Sequence, residues 1–195
     1  MPQPETDRFH IQRLSMPRHS LPLTFALLVS SSLTAQGDFE SIGDRVNVAG
    51  SLFFVAVKAP GGQELWVLDA GKKSAHLVKD IHAGPNSSGV AGIVAFGKRA
   101  VFAANDGKSG EQLWISNGTT GGTTMLTSIK ADAADAGIAH GSAVVADSVL
   151  YFFVKGAKGA RALWKTDGTS DGTKLVRDSM DGVRSTGRMG IAGWA

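Results

Sequence analysis

The stretch EQLWISNGTTGGTT, at residues 111–124, joins a short apolar run around Trp114 to a group of turn residues. The run is rich in Leu, Trp and Ile, which favours a β-strand. Asn117-Gly118 follows directly, and both residue types tolerate the positive φ that tight hairpin turns require. We therefore expect a strand through Trp114, a chain reversal at Asn117-Gly118 and a new strand from Thr123.

The same pattern occurs three times along the chain, which indicates internal repeats. Each copy contains a Leu-Trp pair, the tryptophans are 48 and 50 residues apart, and a phenylalanine lies 12 residues before each of them. The aligned segments are QELWVLDAGKKSAHLVKDI (63–81), EQLWISNGTTGGTTMLTSI (111–129) and RALWKTDGTSDGTKLVRDS (161–179). The repeat signature residues are Phe54, Leu65, Trp66, Phe102, Leu113, Trp114, Asn117, Gly118, Phe152, Leu163, Trp164, Asp167 and Gly168.

Each repeat holds four short apolar runs separated by Gly, Asp, Asn, Ser or Pro, which predicts strands joined by turns. The runs are nearly continuous in apolar residues, as expected for strands with both faces covered. Four antiparallel strands in about 40–50 residues are typical of a β-propeller blade. We therefore predict an all-β, propeller-like array of about three four-stranded antiparallel blades plus one extra strand, incomplete and open, preceded by an N-terminal signal helix.

The predicted repeat domain covers residues 37–195. Closed propellers have about 4–8 blades, so we expect this chain to be a piece of a longer array whose uncapped ends bind further blades or a second copy. The predicted units are 45–81, 93–129, 141–179 and a partial fourth unit at 187–195.

Residues 1–36 have the composition of a secretory signal peptide, with Met16 as an alternative start. Arg18 precedes the apolar run LPLTFALLVSSSL, and small residues follow it as far as Ala35. The apolar run has 13 residues, whereas a membrane-spanning helix needs about 20. A buried core helix is the alternative. We expect cleavage near Gln36 and a product that is secreted, periplasmic or on the cell surface.

The charge balance argues against a nucleic-acid partner. The chain has 20 basic and 17 acidic residues, and no Lys/Arg cluster of the kind that follows a phosphate backbone. It has no cysteine, so it has no disulfide framework and its stability depends on its own core. We expect neither nucleic-acid binding nor a transmembrane segment.

The combined pattern ELW-x-x-DGT-x-x-GT, followed by LVKDI, resembles the ELWxxDGT repeat family of exported bacterial surface proteins, which are predicted to be β-propeller-like. The match is strongest in the third copy, LWKTDGTSDGT, and good in the second, LWISNGTTGGT. In the first copy only Glu64-Leu65-Trp66, Asp69 and the LVKDI segment match. The resemblance covers about residues 45–195 and implies export and a repeat fold. It brings no catalytic residues.

A second, narrower resemblance concerns the pattern Ala104-x-Asp106-x-x-x-Gly110-Glu111-x-x-Trp114. It looks like the tryptophan-docking motif of quinoprotein propellers, in which the tryptophan stacks on a peptide plane of the neighbouring blade. The motif is complete only in the second copy. It supports a propeller and implies no quinone.

Two aspartates in Gly-rich turns, Asp106 and Asp167, are weak candidates for a calcium site. Calcium needs several oxygens converging from one loop, and the loop NDGKSG at 105–110 offers two such side chains with Lys108 among them. Turn formation is therefore the favoured role of both aspartates, and calcium is the alternative. A second carboxylate pair, Asp132 and Asp135, lies in the Ala-rich segment ADAADAG, which is typical of a solvated linker.

The sequence thus predicts an exported, non-catalytic repeat module that binds a surface ligand, protein or glycan, or acts as a scaffold. It predicts no enzyme activity and no cofactor other than the calcium alternative. The alternative function is a fragment of a propeller enzyme, quinoprotein-like or glycan-active, whose catalytic residues lie outside this chain.

Overall fold

A computed structural model of the chain describes residues 39–129, 137–156 and 160–178. These residues form 13 β-strands and no helix. The first sheet contains β1 (Ser41–Val48), β2 (Ser51–Val57), β3 (Gln63–Leu68) and β4 (His76–Lys79). The second contains β5 (Ala91–Phe96), β6 (Arg99–Asn105), β7 (Glu111–Ser116) and β8 (Thr123–Met125). The third contains β9 (Gly137–Ile138), β10 (Val144–Ala146), β11 (Val149–Lys155), β12 (Arg161–Thr166) and β13 (Lys174–Arg177).

Each sheet is an antiparallel meander whose successive strands are neighbours. In the third sheet, the short strand β9 pairs with β11 on the same side as β10. The prediction of an all-β chain with three antiparallel sheets is therefore confirmed. The described residues do not close into a propeller ring.

The phenylalanine and tryptophan of each repeat are direct cross-strand partners. Strand pairing places Phe54 opposite Trp66 and Phe102 opposite Trp114, and the third sheet repeats the arrangement. The 12-residue spacing in the sequence thus corresponds to the separation of two residues that face each other across one β-hairpin. Such aromatic pairs contribute about 0.2–1 kcal/mol each to sheet stability.

The second sheet is buried on both of its faces. Along β6, Ala100, Phe102 and Ala104 join a hydrophobic cluster with residues of the first sheet. The alternate residues Val101 and Ala103 join a cluster with residues of the third sheet. Because side chains alternate between the faces of a strand, both sets are covered only if the second sheet lies between the other two. This explains why the strand sequence is apolar throughout.

Trp114 lies in the cluster shared by the first and second sheets and is 7% exposed. Its indole Nε1 donates a hydrogen bond of 3.1 Å to the carbonyl oxygen of Ala104. That bond joins the first and last residues of the motif that resembles tryptophan docking. From the first sheet, Lys79 places its Nζ 5.5 Å from the centre of the indole ring.

The strands begin two to four residues before the predicted units, at residues 41, 91 and 137. The early residues include the bulge between Ile42 and Arg45, where Gly43 and Asp44 interrupt the apolar pattern. The turn before β11 contains neither Gly nor Asn, although Asp147 and Ser148 adopt positive φ, and in the turn before β2 Ala49 adopts positive φ beside Gly50.

Several sequence predictions concern residues outside the described ranges. These are the signal peptide at 1–36, the carboxylates Asp132 and Asp135, and the partial fourth unit at 187–195. In the described part of the chain, no helix is long and apolar enough to cross a membrane.

The substitution Trp114→Ala is expected to lower the free energy of unfolding by about 3–5 kcal/mol, because it empties a buried site between two sheets. Urea or thermal unfolding of the wild type and the variant measures this. The control is Leu175→Ala, since Leu175 is 46% exposed on β13. It should change the free energy of unfolding by no more than about 0.5 kcal/mol. A wild-type midpoint for Trp114→Ala would contradict the burial.

Candidate functional site

The turns after β7 and β12 share one hydrogen-bond pattern. The Oδ1 atom of Asn117 accepts hydrogen bonds from the backbone N and the hydroxyl of Thr119, at 3.0 and 2.8 Å. The Oδ1 atom of Asp167 accepts the same two bonds from Thr169, at 2.9 and 2.7 Å. Only acceptor oxygens are needed at this position, so Asn and Asp are interchangeable there.

Hydroxyl groups close the base of each turn. Ser116 and Thr123 are hydrogen bonded through their hydroxyls at 2.7 Å, and the backbone N of Gly118 donates to the Ser116 hydroxyl at 2.9 Å. The equivalent residues of the third sheet, with bonds of 2.7 and 2.9 Å, are Thr166, Thr173 and Gly168. The repeat signature therefore encodes a self-contained turn whose polar side chains are engaged with one another.

Only the glycine of each Asn/Asp-Gly pair uses positive φ. Gly118 has φ of +94° and Gly168 has φ of +88°, while neither Asn117 nor Asp167 is among the residues with positive φ. Asn117 contributes to the turn through its side chain, which accepts hydrogen bonds from Thr119.

Each signature turn also contacts the preceding sheet. The carbonyl oxygen of Gly118 lies 3.2 Å from Nε2 of His76, and the hydroxyl of Thr120 donates to the carbonyl of Val78 at 2.9 Å. A Cβ at Gly118 would lie 3.4 Å from Cζ of Phe53. In the third sheet, Arg99 of the second sheet donates to the carbonyl of Gly168 at 3.1 Å. The turns thus fasten neighbouring sheets together.

The two calcium candidates lie in turns of different sheets, and the structure does not bring them together. Asp106 accepts bonds from the backbone N atoms of Ser109 and Lys108, at 2.6 and 2.9 Å, and from the Ser109 hydroxyl. These bonds, led by that from the Ser109 backbone, lower the pKa of Asp106. The hydroxyl and backbone of Thr169 likewise lower the pKa of Asp167. The described residues contain no group of three or more His, Asp or Glu placed to hold a metal ion.

The first residue of the ELW pattern has a structural role that the sequence did not suggest. Glu64 is 3% exposed, and its carboxylate accepts bonds from the backbone N of Ile81 at 3.3 Å and from the backbone and hydroxyl of Ser88 at 3.1 and 2.7 Å. In the second repeat, Gln112 accepts the equivalent bond from the backbone N of Ile129 at 2.9 Å. The side chain thus holds the segment that leaves the sheet, and in the third copy it is replaced by Ala162.

The third sheet contains a pocket of about 280 Å³. In the first and second sheets, the first strand carries a bulge in which it advances three residues while its partner advances two. In the third sheet, the chain advances six residues from Ile138 to Val144 while the paired strand β11 advances three. The additional residues, between 138 and 144, therefore form a larger bulge. We call the resulting cavity the bulge pocket; its lining residues are Ala139, His140, Gly141, Ser142, Lys155 and Arg161.

Hydrogen bonds hold the wall of the bulge pocket in place. The hydroxyl of Ser142 donates to the carbonyl of Ala139 and accepts from the backbone N of Phe153 at 3.1 Å. From the second sheet, Glu111 contacts the ring Nε2 of His140 at 2.8 Å. Its other carboxylate oxygen accepts a bond of 2.7 Å from the backbone N of Ile138. The pocket is therefore built at the contact between the second and third sheets.

The sequence did not single out the residues of the bulge pocket. His140 has no neighbour at metal-ligand spacing, and Lys155 and Arg161 lie with Lys158 in the segment KGAKGAR at 155–161, which matches no binding motif. One signal was available in the sequence. Lys155 and Arg161 are basic, whereas the aligned positions of the first two copies are Val57 and Gln63, and Asn105 and Glu111.

Gly118→Ala is expected to lower the free energy of unfolding by about 1–3 kcal/mol, because an alanine would adopt a strained positive φ. Gly121→Ala is the matched control in the same turn, since a Cβ there meets no atom within 4 Å. The third copy already has Asp171 at that position. Unfolding midpoints of the two variants test the difference, and equal midpoints would contradict the role assigned to Gly118.

Burial raises the pKa of Glu64, although its hydrogen bonds oppose this effect. The folded protein therefore holds this proton more tightly than the unfolded chain. The resulting stabilisation is complete below the unfolded-state pKa, near 4.5, and is lost as the pH rises through the folded-state value. We expect the free energy of unfolding of the wild type, relative to Glu64→Gln, to be larger at about pH 4 than at about pH 8.

Denaturant unfolding of both proteins at the two pH values measures this difference. Gln112→Glu is the mirror variant, because the Gln112 amide donates bonds to the carbonyls of Ser109 and Ile129 at 2.7 and 2.9 Å. A charged carboxylate would repel these oxygens, so this variant should lose stability as the pH rises. A pH-independent difference between the wild type and Glu64→Gln would contradict the assignment.

No protein-family model matches this chain, and no curated protein matches it significantly. The roles of the signature turns, of Glu64 and of the bulge pocket therefore rest on the geometry of the chain and on the agreement between its own repeats. That agreement is informative, because the second and third turns form the same bonds from partly different residues.

Proposed function

We propose that this chain is an exported, non-catalytic repeat module of the ELWxxDGT type, built as a propeller-like array, that binds a ligand at a bacterial surface. Each sheet then corresponds to one blade. The resemblance of the repeat signature to exported surface proteins and the signal-like composition of residues 1–36 support export.

The observation that carries this proposal is how the repeat signature uses its side chains. In the second and third sheets, the oxygens of Asn117 and Asp167 accept bonds from their own turns. Trp114 is buried against the first sheet, and Gly118 approaches Phe53. The residues that recur in the repeats thus stabilise the fold. Ligand recognition is therefore expected at positions that differ between the repeats.

The bulge pocket is such a variable position. It lies where the third repeat departs from the other two, in its first strand and in the residues that flank its Leu-Trp hairpin. Binding proteins built from repeats commonly place recognition in local variation on a regular scaffold. This favours a binding role for the third sheet.

Export is tested by expressing the full chain in a bacterial host, separating the cell fractions and sequencing the N-terminus of the product. We expect a mature protein outside the cytoplasm that begins within a few residues of Gln36. Deletion of residues 21–33 is the control and should retain the protein in the cytoplasm, because it removes the apolar run that the export machinery recognises. Residues 1–30 on the exported product would contradict the proposal, as would export of the deletion variant.

A further inference from the structure

Two cationic side chains line the bulge pocket and are directly opposed in the third sheet. Lys155 ends β11, Arg161 begins β12, and their Cα atoms are cross-strand partners. Like charges directly opposite each other destabilise a sheet. The equivalent pairs in the other two sheets avoid this repulsion; they are Val57 with Gln63 and Asn105 with Glu111.

Nothing in the described ranges 39–129, 137–156 and 160–178 compensates this repulsion. Within them, the side chains of Lys155 and Arg161 form neither an ion pair nor a hydrogen bond. The nearby carboxylate of Glu111 is engaged with His140 and with the backbone N of Ile138. Among the described residues, no acidic side chain neutralises either of these two cations, and both line the pocket.

The charges around the pocket select the charge of a ligand that enters it. In the part of the chain that the structure describes, the lining of the pocket contains two cationic side chains, Lys155 and Arg161, and no carboxylate, so it favours an anionic ligand. A carboxylate is a planar anion that a guanidinium can bind through two parallel hydrogen bonds. The volume of about 280 Å³ is close to the lower limit, about 300 Å³, of small-molecule sites. The pocket thus suits one small unit.

We propose that the bulge pocket binds the carboxylate of a small organic acid, for which a sugar acid is the probe, with Arg161 and Lys155 as the two cationic donors. The planar guanidinium of Arg161 can donate two parallel hydrogen bonds to a carboxylate, and Lys155 adds a point charge on the opposed strand. A free sugar acid and one unit of an acidic polysaccharide both present this group. The proposal names the ligand class of the binding function proposed above and so rests on it.

The test measures binding of galacturonate to the full chain by calorimetry at low ionic strength, where screening is weakest. Galactose is the neutral analogue. We expect galacturonate to bind and galactose not to bind. Arg161→Gln and Lys155→Gln should each weaken galacturonate binding about tenfold or more, because each removes a charged hydrogen-bond donor. Lys165→Gln is the matched control on the same strand, exposed and outside the pocket, and should bind as the wild type does.

Thermal unfolding separates loss of binding from loss of structure. Lys155→Gln removes one member of a like-charged pair, so its midpoint without ligand should equal or exceed that of the wild type. Galacturonate should raise the midpoint of the wild type and leave that of the variant unchanged. If the midpoint of Lys155→Gln were below that of the wild type, the opposed charges of Lys155 and Arg161 would not destabilise the ligand-free protein. That result would overturn the proposal.

Oligogalacturonate distinguishes the two sources of the carboxylate. Equal affinity per site for the monosaccharide and the oligomer identifies a free sugar acid, and markedly tighter binding of the oligomer identifies a polysaccharide unit; both results support a carboxylate site. Equal binding of galactose, tighter binding of inorganic phosphate, or wild-type affinity in both glutamine variants would overturn it. Failure here leaves the export result unchanged, so the two proposals can fail separately.

Discussion

The stability of this chain depends on the burial of apolar faces between stacked sheets. A four-stranded sheet of about 40 residues buries too little surface to fold alone, and repeat proteins gain their stability from the interfaces between repeats. Here β6 contributes to both interfaces of the second sheet, with Phe102 in the cluster shared with the first sheet and Val101 in the cluster shared with the third. Burial of apolar surface contributes about 25 cal/mol per Å², so these two faces dominate the energetics.

Stacking imposes a second requirement on the turns. The reversal after the third strand of one sheet lies against the preceding sheet, and where the two approach closely there is no room for a side chain. Gly118 meets Phe53 and Gly168 meets Phe96 in this way. The polar groups of each turn are satisfied locally by Asn117 or Asp167, so an exposed turn can lie against its neighbour without leaving unpaired donors. The signature is thus a packing device.

The third repeat retains the turn but gives up two other structural features. Ala162 replaces the buried Glu64 or Gln112, and the bulge of its first strand is enlarged. In the same sheet, Lys155 and Arg161 are opposed. The binding role proposed for the third sheet rests on this combination of local departures and retained stacking residues. The scaffold tolerates this because the stacking face is carried by other residues, among them Leu150 and Phe152.

The sequence by itself determined the all-β class, the number of sheets and the constant 12-residue spacing between each phenylalanine and its tryptophan. These follow from local rules: apolar runs, turn residues and a fixed repeat length act over one hairpin. The tertiary structure alone decided how Glu64 reaches Ser88, where Gly118 meets Phe53, and how His140 meets Glu111 of another sheet. These contacts join residues 24 to 65 positions apart, and their geometry depends on the register and bulges of whole sheets. The bulge pocket could not be predicted for the same reason, because a few extra residues in one strand change its shape without leaving a motif.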